Sequence, residues 1–175
     1  MLSLGMEGKV ERIFIAPNSG EPMIELESVE AVLGCGLRGD RYLNRTGHWS
    51  GVDECQVTLI EAEILERIAE DTGLPLLAGE HRRNLVTRGV RLPQLLGKQF
   101  AVGQAVFEFH RPRPPCSHLH ALTQAGTASA LFGQRGGIGA RVVRTGLIQV
   151  NDLIAVVVPG QVPTPVDGLP ASEGV

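Results

Sequence analysis

The densest chemistry in this 175-residue chain lies in R-P-R-P-P-C-S-H-L-H, Arg111 to His120. Pro114 and Pro115 stiffen the approach to Cys116 and remove two backbone donors, while Arg111, Arg113, His118 and His120 surround it with positive or potentially positive groups. Such neighbours stabilise a thiolate, which makes Cys116 the best candidate for a nucleophile, a sulfur carrier or a soft metal ligand; a small buried thiol is the competing reading. The C-x-H-x-H spacing puts Cys116, His118 and His120 on one face of an extended segment. That would suit zinc if His48, Asp40 or water completed the set, but the arginines raise the cost of a divalent cation there. Cys35 and Cys55 lack comparable surroundings and read as structural.

Two further clusters can handle an anion. In GLRGDRY, Gly36 to Tyr42, the glycines let the backbone approach a ligand closely, and Arg41 can form a bidentate pair with phosphate or carboxylate. The alternative is an Asp40–Arg41 salt bridge that only fixes the turn. In GEHRRNLVTRG, Gly79 to Gly89, Arg82, Arg83 and the Asn84 amide can hold a phosphate or a polar heterocycle at the entrance of a strand. Neighbouring strand residues point opposite ways, so at most one of the two arginines faces a site directly, and the other is free to pair with Glu80 or another acidic residue. Gly136, Gly137 and Gly139 either form a ligand-facing turn or simply turn the chain tightly. No phosphate-loop, dinucleotide, G-x-S-x-G or H-E-x-x-H string accompanies these clusters.

The elements that must position them are mostly short strands. Period-two alternation predicts a strand over Lys9 to Ala16, with Val10, Arg12, Phe14 and Ala16 on one face, and a second ending near Leu33. Gly34 to Gly51 reads as a long loop. Thr58 followed by Glu61, with Ile60, Ile64, Leu65 and Ile68 recurring on one face, predicts a capped amphipathic helix stopped by Gly73 and Pro75. Asn84 to Thr87 looks extended, Pro93 to Leu96 forms one helical turn, and Phe100 to Phe109 reads as a hairpin turned at Gly103 and Gln104. Ala121 to Leu131 can make a second short helix. Arg141 to Arg144, Ile148 to Val150 and Leu153 to Val158 complete the strands. This pattern predicts a mainly β fold, a barrel-like closed or strongly curved sheet with a few peripheral helices, because the helices a doubly wound sheet needs between strands are missing. One domain over residues 1–158 is expected, followed by a disordered tail, 159–175, rich in proline and glycine.

Composition bounds the function. A chain with 43% hydrophobic and 20% charged residues can build an apolar core. Its apolar runs are far shorter than the roughly 20 residues that span a bilayer, and no basic-then-apolar leader opens it, so a soluble, cytoplasmic protein is expected. The net charge of -3 hides an asymmetry: residues 1–80 carry 6 basic and 15 acidic side chains, residues 81–175 carry 10 and 4. Either the halves neutralise each other across the fold, or the second half builds an anion site. One Trp and one Tyr, with a net acidic charge, disfavour nucleic acid and favour a small phosphate-bearing ligand.

Taken in order, GLRGDRY, QVTLIEAEILE, GEHRRNLVTRGVRLPQLLGKQFAVGQAVFEF, the Pro115-Cys116 pair and GGIGARVVRTGLIQVNDLI resemble the MOSC domain, the C-terminal domain of molybdenum cofactor sulfurases that also occurs as small standalone bacterial proteins. The resemblance covers Gly8 to Val158 and implies a β-rich, barrel-like domain. It also implies that Cys116 handles sulfur or coordinates molybdenum, that Arg41, Arg82, Arg83 and Asn84 meet the phosphate-bearing pterin, and that Asp40 organises the loop. Relatives bind molybdenum cofactor and reduce N-hydroxylated compounds, so the resemblance implies that cofactor, an N-hydroxylated or other small anionic ligand, and an external reductase or cofactor-delivery partner. A noncatalytic cofactor or sulfur carrier, or a metal-free anion-binding module, would be built from the same residues. A pyridoxal-phosphate domain like that of full sulfurases is not expected within these 175 residues. Two positions depart from the family pattern: Tyr42 stands where many relatives have histidine, and Asn151 replaces a glycine, which asparagine's tolerance of positive φ permits.

Overall fold

The computed structural model describes residues 8–46, 56–113, 126, 130–131 and 133–158. The chain runs β1 (Gly8–Ile15), β2 (Ile24–Leu26), β3 (Ser28–Val32), β4 (Gly36–Leu37), α1 (Arg41–Asn44), β5 (Val57–Glu61), α2 (Ala62–Thr72), β6 (Leu85–Arg88), β7 (Gln99–Val102), β8 (Ala105–Pro112), β9 (Ile138–Arg144), β10 (Gly146–Gln149) and β11 (Leu153–Val156). Hydrogen bonding follows the order β11-β7-β8-β9-β5-β6-β1, and β1 pairs back onto β11, so seven strands close into a barrel. Closure removes the sheet edges that would otherwise expose unpaired backbone groups. The β5–β6 pair is parallel, with α2 as its connection, while the other barrel pairs are antiparallel. β2 extends the sheet beside β1, and β10, β3 and β4 form a separate three-stranded sheet. The β-rich, closed architecture with few peripheral helices matches the expectation from the sequence.

Two apolar clusters hold these layers together. The barrel interior gathers Val10, Ile13, Leu59, Leu85, Phe100, Phe107, Ala140 and Ile154, all fully buried. A second cluster lies between the barrel wall and α2, where Leu65 and Ile68 of the helix meet Phe14, Ile60, Leu76 and Val86. The apolar residues of α2 recur at helical spacing, and that stripe is the face it buries.

Three local expectations need correction. First, the β1 ladder slips register between Val10 and Arg12. This bulge lets Val10 share the barrel interior with Ile13 and Ile15, although strict alternation puts them on opposite faces. Second, the T-x-x-E string at Thr58 does not cap a helix. Thr58 to Glu61 finish β5, α2 starts at Ala62, and Glu61 is its N-cap without a side-chain cap bond. Gly73 does end the helix, at φ 69°. Third, the expected loop after Gly34 contains β4 and the short helix α1. Asn151 adopts φ 75°, so the left-handed turn expected there is kept. The expected helix at Ala121 to Leu131 falls almost wholly outside the described residues, as does the tail 159–175.

Candidate functional site

Asp40 organises the site from the N-terminus of α1. Its carboxylate is fully buried. Oδ2 accepts from the Tyr42 backbone N–H at 3.2 Å, which caps the helix, and Oδ1 accepts from the Ala16 N–H at 3.0 Å, Arg41 Nη1 at 3.1 Å and Asn84 Nδ2 at 3.2 Å. A buried carboxylate survives when its acceptor positions are filled in this way. Asn84 is equally engaged: Nδ2 also donates to the Phe14 carbonyl, and Oδ1 accepts from the N–H and the hydroxyl of Thr58. It ties the β1 end, β5 and the GLRGDRY turn together, and this is where the Thr58 hydroxyl goes instead of capping α2.

Four guanidinium groups gather around this frame. Arg41 donates through Nη1 to Asp40 and through Nη2 to the Arg82 carbonyl at 3.2 Å, and it lies 4.7 Å from the Tyr42 ring centroid. Arg82 sits in the left-handed region at φ 61°. Its Nη1 donates to the Glu21 carbonyl at 2.7 Å, while its Nη2 is buried with no hydrogen-bond partner among the described residues. Arg83 reaches the Gly136 carbonyl through Nε at 2.8 Å and the Arg113 carbonyl through Nη2 at 3.1 Å. Arg113, itself buried, places Nη2 3.4 Å from the Tyr42 hydroxyl.

These contacts decide the electrostatics. The carbonyl oxygens that accept from these guanidinium groups carry no net charge, and among the described residues Asp40 is the carboxylate bonded within the cluster, through Arg41. Burial pushes the Arg82 pKa down, and the nearby Arg41 charge pushes it further the same way. His81, beneath the arginines, is fully buried with its ring edge against Phe14, and its Nδ1 accepts from the Arg83 N–H at 2.9 Å. Burial first, then the charges of Arg83, Arg12 and Arg82, lower its pKa to about 3, so the imidazole is neutral. The arrangement is a positively charged frame that would favour an anion.

The charge asymmetry of the sequence is therefore resolved in two ways. Arg88 pairs with Glu11 at 2.6 Å and also with Glu66, and Arg91 pairs with Glu61 at 3.4 Å, so part of the basic second half does neutralise acids of the first. Arg41 meets the Arg82 backbone, and Arg83 meets that of Arg113. Glu80 accepts from the Ala78 N–H at 2.8 Å. Gly136 and Gly137 serve close packing: a Cβ would strike the Arg113 carbonyl at the first and the Leu59 carbonyl at the second.

Of the five predicted binding residues, Asp40, Arg41, Asn84 and the Arg82 carbonyl are directly linked, while the Arg83 side chain bonds the Gly136 and Arg113 carbonyls. Sequence reasoning placed Arg113 among the positive groups around Cys116, not beside Tyr42, and assigned no role to His81. Cys116, His48, His118 and His120 lie outside the described residues. Among the described residues no three His, Cys, Asp or Glu side chains gather as a metal site, and no helix is long and apolar enough to cross a membrane.

A family profile described as MOSC domain matches residues 46–155. Among solved structures, the YuaD protein of Bacillus subtilis superposes with a TM-score of 0.70 at 20% identity, covering 86% of this chain and 96% of that one. YiiM of Escherichia coli gives 0.64 at 20% identity over 88% and 71%, and YiiM of Geobacillus stearothermophilus 0.61 at 20% identity over 87% and 76%. At that identity these likenesses show the fold. No curated protein matches the sequence.

Proposed function

The chain belongs to the MOSC domain family, and from that premise we propose that it binds molybdenum cofactor at the arginine frame and uses it to reduce N-hydroxylated bases or related compounds, with electrons from an external donor. The observation that carries this reading is the Arg82 guanidinium, whose Nη2 is buried with no hydrogen-bond partner among the described residues and lies under the charge of Arg41. An unmet buried donor costs about 1–3 kcal/mol, and a phosphate oxygen would remove that cost while meeting the surrounding positive charge. The residues therefore fit the anionic end of the cofactor.

Each residue has a distinct task in this reading. Arg82 and Arg41 would bind the phosphate, and Asp40 and Asn84 hold those arginines in place through their internal bonds. Arg83 fixes the Gly136 and Arg113 backbone. Arg113 leads in three residues to Cys116, which would hold the metal or accept sulfur, and a thiolate there benefits from the nearby cations. The cofactor, when bound, supplies a centre that can pass two electrons. Reduction of an N-hydroxyl group consumes two electrons and two protons and releases the oxygen as water.

The test is turnover of the cofactor-loaded full chain with a chemical electron donor and an N-hydroxylated base. Donor-dependent formation of the parent base, lost in Cys116→Ser, supports the enzyme. Reversible passage of cofactor or sulfur to an acceptor protein without turnover would assign a carrier instead. Loaded chain that neither turns over nor transfers would overturn both.

A further inference from the structure

A cavity of about 540 Å³ shares no lining residue with the arginine frame. It lies between α2, the end of β5 and the segment after β6. Ile64, Ile68 and Val90 give it an apolar wall, and its size is in the range of small-molecule sites.

Three carboxylates line the same cavity, Glu61, Glu63 and the exposed Asp71, and the two at the start of α2 are not well matched. Glu63 Oε1 accepts from the Gly89 N–H at 2.6 Å, but its Oε2 is buried with no hydrogen-bond partner among the described residues. The Glu61 side chain is 5% exposed, and its ion pair is with Arg91, whose Nε stands 3.4 Å away on a side chain that is 70% exposed. Burial raises the Glu61 pKa more than Arg91 lowers it, and the charge of Glu63 adds to the rise. Both acids favour the N-terminus of α2, yet that helix supplies no donor for the open oxygen. A cationic group carrying N–H donors would satisfy Oε2 and offset both charges. Arg67 and Arg91, exposed and lining the same cavity, add positive charge within reach of a ligand's other end.

We propose that this cavity binds a small zwitterion: an ammonium or amidinium group hydrogen-bonds Glu63 and faces Glu61, an apolar body lies on Ile64, Ile68 and Val90, and a carboxylate or phosphate meets Arg67 and Arg91. A plain fatty acid or a plain anion would leave the open oxygen of Glu63 without a donor, so neither is the best ligand.

The test titrates the full chain with 6-aminohexanoate, hexylamine and hexanoate, which share an apolar body and differ in charge, reading amide chemical shifts and heats of binding. 6-Aminohexanoate should bind tightest and hexanoate weakest, with shifts centred on Glu63, Ile64 and Val90. Glu63→Gln keeps an acceptor for Gly89 and should weaken both amines at least about tenfold. Arg67→Ala, on the exposed side of α2, should weaken 6-aminohexanoate severalfold and leave hexylamine unchanged. The proposal is overturned if hexanoate binds as tightly as the amines, if folded Glu63→Gln binds them like the parent chain, or if no probe binds up to about 10 mM.

Discussion

Replacing His81 with asparagine should flatten the acid dependence of stability. The Nδ1 of His81 accepts from the Arg83 N–H, and an asparagine oxygen can take over that bond. In the unfolded chain the imidazole titrates near 6.5, whereas in the fold burial and three arginines hold it near 3. Between those values the unfolded state binds a proton that the native state does not, so this contribution is fully present above about pH 6.5 and is lost as pH falls towards 3. Between pH 7 and pH 5 the loss amounts to about 2 kcal/mol, most of one proton over two pH units. Urea unfolding of both proteins at the two pH values measures it. Carboxylates elsewhere contribute to both proteins alike, so the difference between the two pH dependences isolates the histidine. The parent chain should lose about 2 kcal/mol more than His81→Asn on acidification. Equal losses would refute a neutral, desolvated imidazole beneath the arginines.

Other substitutions probe the frame itself. Asp40→Ala strips the buried Arg41 guanidinium of its carboxylate and should cost about 3–5 kcal/mol, read as a lower urea midpoint. Thr58→Val removes the hydroxyl between β5 and Asn84 and should cost about 1–3 kcal/mol without selective loss of helical circular dichroism, whereas a true helix cap would lose helix signal first. Gly137→Ala combines φ 83° with a Cβ driven into the Leu59 carbonyl, so the chain should fail to accumulate as soluble, folded protein at 37 °C.

Much of the fold was legible because closure of a barrel rests on strand count and turn residues, both written locally. The hairpin at Gly103 and the stop at Gly73 are positions where one residue type decides the backbone. The bulge in β1 was not legible, since it depends on which strand lies alongside, and it moves Val10 to the face of Ile13. Thr58 misled for a related reason: T-x-x-E is a cap only when a helix follows the threonine, and the apolar run Val57 to Ile60 is buried as a strand instead. The candidate site was legible in its residue types, arginines and an aspartate among glycines. Its bonding was not, because Arg82 and Arg83 use the carbonyls of Glu21, Gly136 and Arg113, and every residue carries such an acceptor.

The most direct test of cofactor binding is the molybdenum and pterin content of the chain purified from a host that makes the cofactor. The parent protein should carry close to one of each per chain, and Arg82→Ala, no more strained at φ 61° than arginine itself, should keep its fold and lose both. A parent chain free of molybdenum and pterin, or a folded Arg82→Ala that retains them in full, would contradict the assignment of the arginine frame to the cofactor.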